Sequence, residues 1–107
     1  MKLVFKTIDF NLADATFTVN ELSKDGFFHY LSMKDANERY NFILNEIVGL
    51  KGLEDSDGKP ISIYELKEIN APWNFVKEVL GAYGDAVFAE TSKELADKKE
   101  KNQKNVD

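Results

Sequence analysis

The sequence predicts an α+β fold, a mainly helical single domain with an N-terminal β-hairpin and about three helices. Three observations support this prediction. Apolar and polar residues alternate near the N-terminus, apolar residues recur at spacings of three and four from residue 33 onward, and 43% of the 107 residues are apolar. A chain of this length buries one core, and eight Phe, four Tyr and one Trp can fill it. We therefore expect one compact domain over residues 1–90.

The hairpin is predicted over about residues 2–19. From Lys2 to Phe10, β-branched and aromatic residues alternate with polar ones, residues 11–14 interrupt the alternation, and residues 16–19 resume it. An isolated hairpin is marginally stable in water, so one of its faces must dock on the helices or on a neighbouring subunit. Residues 27–31 are aromatic without a clean period, and the sequence leaves their structure open.

The central part of the chain has the pattern of two amphipathic helices, over about residues 33–50 and 62–69. Apolar side chains of the first helix fall on one face, and Ser32 with Asp35 resembles a capping pair at its start. Ser62 can cap the second helix while Glu65, three residues later, reaches back toward it. We expect a turn-rich loop between these helices.

A third helix is predicted over about residues 71–90, and the segment after it differs in composition. Asn70 is placed as the helix cap, with Pro72 in the first turn. Residues 91–107 hold five lysines and four acidic residues but three apolar ones, which cannot support a core. We expect this segment to be either the charged, solvated end of the last helix or a disordered tail.

Composition and charge exclude several classes of function. The chain has no Cys and one His, so disulfides, thiolate metal sites, cysteine nucleophiles and multi-histidine metal sites are excluded. The net charge is −5, and residues 1–90 alone hold 15 acidic and 9 basic side chains. Such a surface does not favour nucleic acid, because binding to phosphates depends on clustered Lys and Arg. The composition therefore favours a protein partner.

No membrane or targeting segment is predicted. The apolar stretch near the N-terminus spans three residues, against the roughly 7 to 15 of a signal peptide. The longest apolar helical segment, residues 42–50, is interrupted by polar side chains and is far shorter than the roughly 20 residues that span a bilayer. We expect a soluble, cytoplasmic protein without a membrane partner.

The sequence contains no pattern that indicates catalysis. Residues 55–58 are oxygen-rich, but a calcium loop with Gly58 at its sixth position would place Leu53 and Tyr64 where carboxylate ligands are required. His29 is flanked by aromatic residues, which indicates a packing position more than an acid–base role. Glycine-rich phosphate loops and the serine-hydrolase elbow are absent from the sequence. We therefore predict a protein that is not an enzyme, with no catalytic residues, metal or cofactor.

Large aromatic side chains are the candidates for binding a protein partner. Phe27 and Phe28 form an aromatic pair, Tyr30 follows them, and Trp73 stands at the start of the last predicted helix. Aromatic residues are enriched among the anchors of protein interfaces. A Trp that follows Pro at a helix start can equally pack against the preceding helix, and Phe27 and Phe28 can equally be core residues. Both interpretations remain open at this point.

The order of elements over about residues 40–100 points to a known family. A central helix ends in residues 47–53, Ile-Val-Gly-Leu-Lys-Gly-Leu, and residues 54–61, Glu-Asp-Ser-Asp-Gly-Lys-Pro-Ile, form a turn. A short helix around Leu66, then Pro72, an amphipathic helix and a charged tail follow. This arrangement resembles the tail assembly chaperones of long-tailed bacteriophages.

The resemblance implies a non-enzymatic protein of the host cell cytoplasm that binds and solubilises the apolar, helical tape measure protein during phage tail assembly. It also implies self-association into spiral or ring-like arrays. We therefore expect an aromatic, grooved binding face that involves Phe27, Phe28, Tyr30 and Trp73. The alternatives are a structural phage tail or connector protein retained in the virion, and a small regulator, interaction module or enzyme without a recognisable motif.

Overall fold

In the computed structural model, which describes residues 1–88, regular structure begins with a β-hairpin. Strand β1 (Thr7–Leu12) pairs antiparallel with β2 (Ala15–Asn20), and a two-residue turn at Ala13 joins them. The polar and apolar residues alternate as predicted, and the buried side chains of both strands face the core. The hairpin starts later than predicted, because residues 1–5 lie exposed ahead of β1 and residues 11–12 belong to the strand instead of the turn.

The aromatic segment whose structure the sequence leaves open lies in a helix, α1 (Lys24–Ser32). Its N-cap is Ser23, whose side-chain oxygen accepts a hydrogen bond of 3.0 Å from the backbone N–H of Gly26. A capped start of this kind satisfies a backbone donor that the helix itself leaves unpaired. The chain therefore has four helices in the described residues, one more than predicted.

The second helix, α2 (Ala36–Glu46), is shorter than the predicted helix over residues 33–50. Asp35 caps it by accepting a 2.7 Å hydrogen bond from the backbone N–H of Asn37. The other half of the predicted capping pair acts elsewhere, because the Ser32 hydroxyl donates to the carbonyl of His29 at the end of α1. Helix α2 ends at Glu46 because the residues that follow it pair with the sheet.

The sheet gains a third strand that the sequence pattern does not predict, β3 (Ile47–Lys51), which pairs antiparallel with β2 to give the order β1-β2-β3. A bulge interrupts this pairing beside Thr18 and Val19. Gly49 allows the close approach of the two strands, because a Cβ there would lie 3.1 Å from the side chain of Thr18. The prediction that the central helix continues to residue 50 was therefore wrong.

Two further helices complete the described chain. Helix α3 (Ile63–Glu68) has the predicted N-cap, since the Ser62 hydroxyl oxygen accepts a 3.1 Å bond from the backbone N–H of Glu65. Helix α4 covers residues 73–88, and its first backbone bond runs from Val76 to the carbonyl of Pro72. The sequence predicts Asn70 as the cap of α4, but this bond makes Pro72 the residue at the cap position, and Asn70 lies two residues before it. The predicted charged tail lies outside the described residues.

The core lies between one face of the sheet and the helices. Phe17 of β2, Ile43 of α2 and Tyr83 of α4 are fully buried at its centre. The Phe10 and Phe17 rings stack with their centroids 5.0 Å apart, and Tyr83 meets Phe10 edge to face at 6.1 Å. Burial of these large aromatic groups is the main source of stability, at roughly 25 cal/mol per Å² of apolar surface.

Candidate protein-binding site

The residues between α3 and α4 form an exposed apolar ridge on the surface. We define the 69–73 ridge as residues 69–73, in which Ile69 and Trp73 are the large apolar side chains. Trp73 is 58% exposed and Ile69 is 41% exposed. Pro72 places Trp73 at the start of α4, and α3 ends before Ile69, so neither side chain is drawn into the core. The ridge is therefore held in place by the ends of two helices.

A groove of about 380 Å³ lies on one side of the ridge. We name it the polar groove, because asparagine and lysine side chains line it together with apolar ones. Helix α2 supplies one wall and the ridge supplies the other. Its lining residues are Asn37, Tyr40, Asn41, Leu44, Lys67, Ile69, Asn70, Ala71, Trp73 and Val76.

A second groove of about 280 Å³ lies on the other side of the ridge. We name it the apolar groove, since its exposed lining is almost entirely carbon. It is bounded by the loop after β3, by α3 and by the start of α4. Its lining residues are Leu53, Glu54, Asp55, Ile61, Leu66, Ile69, Ala71, Pro72 and Phe75.

The two grooves adjoin, because Ile69 and Ala71 line both of them. A partner that rests on the ridge can therefore place one side chain in each groove, with an apolar one in the apolar groove. This is the geometry by which an apolar helix face is held, with side chains three or four residues apart as anchors. The arrangement is therefore suited to holding the side chains of a bound segment.

A short hairpin-like loop fixes the outer wall of the apolar groove. Glu54 and Pro60 form a β-bridge, and the backbone N–H of Asp55 donates to the carbonyl of Lys59 at 2.8 Å. The Asp55 carboxylate accepts hydrogen bonds from the backbone N–H groups of Asp57 and Lys59, each 2.9 Å long. The Asp55 carboxylate is thus hydrogen-bonded within the turn, as is typical of Asp in such loops.

The surroundings of the ridge are mainly acidic. Glu54 lies at the edge of the apolar groove, and α3 exposes Glu65 and Glu68. Lys67 is the one basic side chain that lines either groove. This pattern favours a partner with positive side chains beside its apolar ones, because opposite charges at the rim accelerate association and help to select the partner.

The structure divides the predicted binding residues between two places. Trp73 lines the polar groove, whereas Phe27, Phe28 and Tyr30 all lie on α1, which lines neither groove. Phe28 is 61% exposed and Phe27 is half-buried, with their rings 5.6 Å apart and edge to face. The predicted single aromatic face is therefore not formed by these four residues.

The predicted binding role of Tyr30 needs correction, because this side chain is 4% exposed. Its ring packs 5.6 Å from that of Phe42 and 5.4 Å from that of Tyr83. The guanidinium of Arg39 covers the ring at 5.2 Å, while its Nε donates to the carbonyl of Met33 at 2.8 Å. Tyr30 is a core residue that joins three helices.

Sequence reasoning missed Ile69 and Tyr64 as surface residues. The periodicity places Ile69 on the apolar face of α3, but the helix ends one residue earlier and leaves it on the ridge. Tyr64 is 81% exposed on the side of α3 opposite the buried Leu66. An apolar residue directly ahead of an Asn-Ala-Pro helix break was the available signal for Ile69.

Three further observations concern the remaining parts of the described chain. Among residues 1–88, no three His, Cys, Asp or Glu side chains are grouped to hold a metal ion. His29 is exposed, with its ring 5.9 Å from that of Phe42. No helix in this range has the length and apolar character needed to cross a membrane.

Comparison with known proteins adds no relative to this description. No protein-family model matches the chain, and neither a curated protein nor a solved structure is detectably similar to it. The candidate site therefore depends on its own geometry: an exposed ridge, two adjoining grooves and an acidic rim.

Proposed function

We propose that this protein is a non-enzymatic binding module that holds an apolar helical segment of a partner protein on the 69–73 ridge. The observation that carries the proposal is the exposure of Trp73, which lines the polar groove on a ridge whose residues Ile69 and Ala71 also line the apolar groove. Trp is the residue type most often found as an energetic anchor of interfaces, and anchors are effective beside pockets that exclude water. The site has this arrangement.

The size and spacing of the grooves favour a helix as the bound segment. Each groove has room for a few side-chain atoms, and the shared residues Ile69 and Ala71 keep the two close together. A helix presents apolar side chains at i and i+4 on one face, so that one face can fill both grooves. An extended strand would point every second side chain away from the surface.

The identity of the partner is proposed from the sequence resemblance. Leu53, Ile61, Leu66 and Pro72 belong to the series that resembles phage tail assembly chaperones, and all four line the apolar groove. We therefore propose that the protein acts in the cytoplasm of a phage-infected host cell. There it would bind exposed apolar helices of the tape measure protein and keep them soluble until the tail tube forms.

Co-expression with the tape measure protein of the same phage tests this proposal. The wild-type chain is expected to shift the tape measure protein from the pellet to the soluble fraction, and Trp73→Ala is expected to abolish the shift. For a fluorescent peptide from an apolar tape measure helix, Trp73→Ala should weaken binding about 30-fold or more, the equivalent of losing an anchor worth about 2 kcal/mol.

Phe28→Ala is the matched control for this experiment. It removes another exposed aromatic side chain, but from α1, which lines neither groove. Both variants should keep the far-UV circular dichroism of the wild type, because each replaced side chain is more than half exposed. Equal loss of binding in the two variants, or insoluble tape measure protein beside abundant wild-type chain, would contradict the proposal.

A further inference from the structure

The two grooves beside the 69–73 ridge differ in their charged groups. The apolar groove has two acidic residues in its lining, Glu54 and Asp55, and the carboxylate of Asp55 is hydrogen-bonded within its own turn. No Asp or Glu of residues 1–88 lines the polar groove, and Lys67 is the one charged side chain in its walls. The lining of the polar groove is therefore positively charged, although the chain as a whole carries a net charge of −5.

Three asparagines line the polar groove together with this lysine. Asn37 and Asn41 stand one helical turn apart on the same face of α2, and Asn70 belongs to the ridge on the other wall. All three are exposed, and none of the side-chain hydrogen bonds within residues 1–88 involves their side-chain amides. Each amide carries two N–H donors and one carbonyl acceptor, so the groove has free donors on both walls.

Tyr40 adds a hydroxyl group to these polar groups. The residue lines the polar groove, but its side chain is 6% exposed, and its buried hydroxyl has no hydrogen-bond partner among residues 1–88. Buried hydroxyl groups are usually paired, because an unmet hydrogen bond is unfavourable. The walls of the groove thus hold more hydrogen-bonding capacity than the described chain uses.

The ammonium group of Lys67 is exposed and has no acidic partner within ion-pair distance in the range 1–88. Its acidic neighbours on α3, Glu65 and Glu68, lie two residues before it and one residue after it. Side chains at these spacings do not face each other on a helix. The charge of Lys67 is therefore available to a bound segment.

A helix that rests on the ridge takes water away from this ammonium group. An ammonium that loses water without gaining an opposite charge is unfavourable, and neither an aliphatic side chain nor an amide supplies such a charge. A carboxylate supplies the charge, and its two oxygens can accept hydrogen bonds from Lys67 and from amide N–H groups at the same time. The polar groove therefore favours an acidic side chain over an apolar one.

We propose that the polar groove binds a glutamate side chain of the helix that lies on the 69–73 ridge. The carboxylate pairs with Lys67 and accepts hydrogen bonds from the asparagine amides of the groove. One helical turn away, the same helix places an apolar side chain in the apolar groove. Glutamate fits this role better than aspartate because it favours the helical state. The inference rests on the proposed function, since it names the chemistry of the segment bound at the same site.

The acidic residues outside the polar groove narrow the pattern further. Glu65 and Glu68 are exposed on α3, and Glu54 borders the apolar groove. A carboxylate of the partner is therefore favourable beside Lys67 and unfavourable elsewhere on the rim, where basic side chains are preferred. The site thus distinguishes a helix with one well-placed glutamate from a uniformly apolar or a uniformly acidic helix.

Fluorescence anisotropy with designed helical peptides tests this inference. Each peptide is an alanine-based helix of about 18 residues, long enough to be helical in water. It carries leucine at one position and glutamate, glutamine, leucine or lysine one turn away, and a second set has the two positions in reverse order. The wild type should bind the glutamate peptide of one set about fivefold more tightly than the glutamine peptide, as expected for an exposed ion pair. The lysine peptide should bind most weakly.

Variants of Lys67 show whether this preference comes from the proposed contact. Lys67→Met removes the charge and keeps an apolar stem, so the glutamate and glutamine peptides should then bind equally. Lys67→Glu should reverse the preference and favour the lysine peptide. Lys34→Met is the matched control, because it makes the same change in net charge at an exposed position that lines neither groove. The far-UV circular dichroism of all three variants should agree with that of the wild type.

The outcomes separate this inference from the proposed function. Suppose that Trp73→Ala weakens the binding of every peptide, but the wild type binds the glutamate and leucine peptides equally. The ridge then holds helices while Lys67 turns into solvent, and the inference alone is overturned. It is also overturned if Lys67→Met weakens the glutamate and glutamine peptides to the same extent. If no peptide binds to the wild type, the proposed function fails and this inference fails with it.

Discussion

Two buried tyrosines, Tyr40 and Tyr83, hold hydroxyl groups that have no hydrogen-bond partner within residues 1–88. Tyr83 is fully buried, and its ring touches those of Phe10 and Tyr30. A buried hydroxyl without a partner loses its hydrogen bonds to water, at a free-energy cost of about 1–3 kcal/mol. Tyr83 thus fills the centre of the core with its ring and weakens the core with its hydroxyl.

Replacing Tyr83 by Phe is expected to raise the free energy of unfolding at neutral pH by about 1 kcal/mol. Burial, with a smaller contribution from the negative charge of Glu46, raises the pKa of Tyr83 above its ordinary value of 10.0. The unfolded chain therefore ionises first, and the wild type loses stability as the pH rises above 10.0. The variant should lose up to about 1.4 kcal/mol less per pH unit in that range. Urea unfolding at pH 7 and above pH 10 measures both effects.

Tyr64→Phe is the control for this prediction. Tyr64 is the most exposed tyrosine among residues 1–88, so its hydroxyl has water as a partner in both the folded and unfolded states. Its removal should leave the unfolding free energy at pH 7 unchanged. A Tyr83→Phe variant that is less stable than the wild type at pH 7 would show that this hydroxyl has a stabilising partner.

At the scale of the elements, local signals in the sequence locate the start of α3 but not the long-range pairing that ends α2. Ser62 and Glu65 identify the start of α3, because a cap acts on neighbouring residues only. The predicted pair of Ser32 and Asp35 places the start of α2 three residues too early, since Asp35 itself is the cap. The end of α2 depends on a distant partner. Ile47 and Val48 fit the periodicity of a helix, but Ile47 pairs with Val19 of β2, which lies almost thirty residues earlier in the chain, and Val48 lies at the bulge beside it. Backbone pairing across such a distance leaves no local signal.

The candidate site, too, was only partly predictable from the sequence. Trp73 could be named from its residue type and its position after Pro72, whereas its exposure depends on how α3 and α4 meet. Tyr30 has the same aromatic character as its neighbours, but helix geometry turns it inward and Phe28 outward. The grooves themselves combine residues from α2, the loop after β3 and two helix ends. A combination of this kind arises only from tertiary packing.

Gly52, the residue after β3, supports a contact between elements that no other residue type allows. Its φ is +79°, and an added Cβ would lie 2.5 Å from the backbone carbonyl oxygen of Asp14 in the hairpin turn. Gly52→Ala should therefore lower the free energy of unfolding by about 2–4 kcal/mol, because it combines an unfavourable φ with a displacement of the turn. The midpoint of urea unfolding measures this loss.

Gly58→Ala separates the two causes. Gly58 has a φ of +81°, but a Cβ there would meet no atom within 4 Å. Its replacement should cost about 1 kcal/mol, the conformational cost alone. If both variants lost the same stability, the close approach of Gly52 to Asp14 would have no energetic weight, and the contact between β3 and the hairpin turn would need another explanation.

At the scale of the whole molecule, α4 connects the sheet to the other helices. Phe75 lies 6.5 Å from Phe17 of the sheet, and Phe88 lies 5.4 Å from Tyr30 of α1, both distances being between ring centroids. Tyr83 lies between them along α4 and contacts both groups of rings. The helix therefore cannot leave the sheet without also exposing the aromatic rings of α1.

This shared helix predicts that the described domain unfolds in one cooperative step. Far-UV circular dichroism reports on all helices, and the fluorescence of Trp73, the single Trp, reports on the start of α4. Their urea transitions should coincide, as expected for a small two-state domain.

Phe17→Leu on the sheet side and Phe42→Leu on the helix side should each shift both transitions together, because each loosens packing around the same helix. If Phe42→Leu moved the dichroism transition while leaving that of Trp73 in place, the sheet and the helices would be separate units, and the ridge at Trp73 would be supported by α3 and the sheet alone.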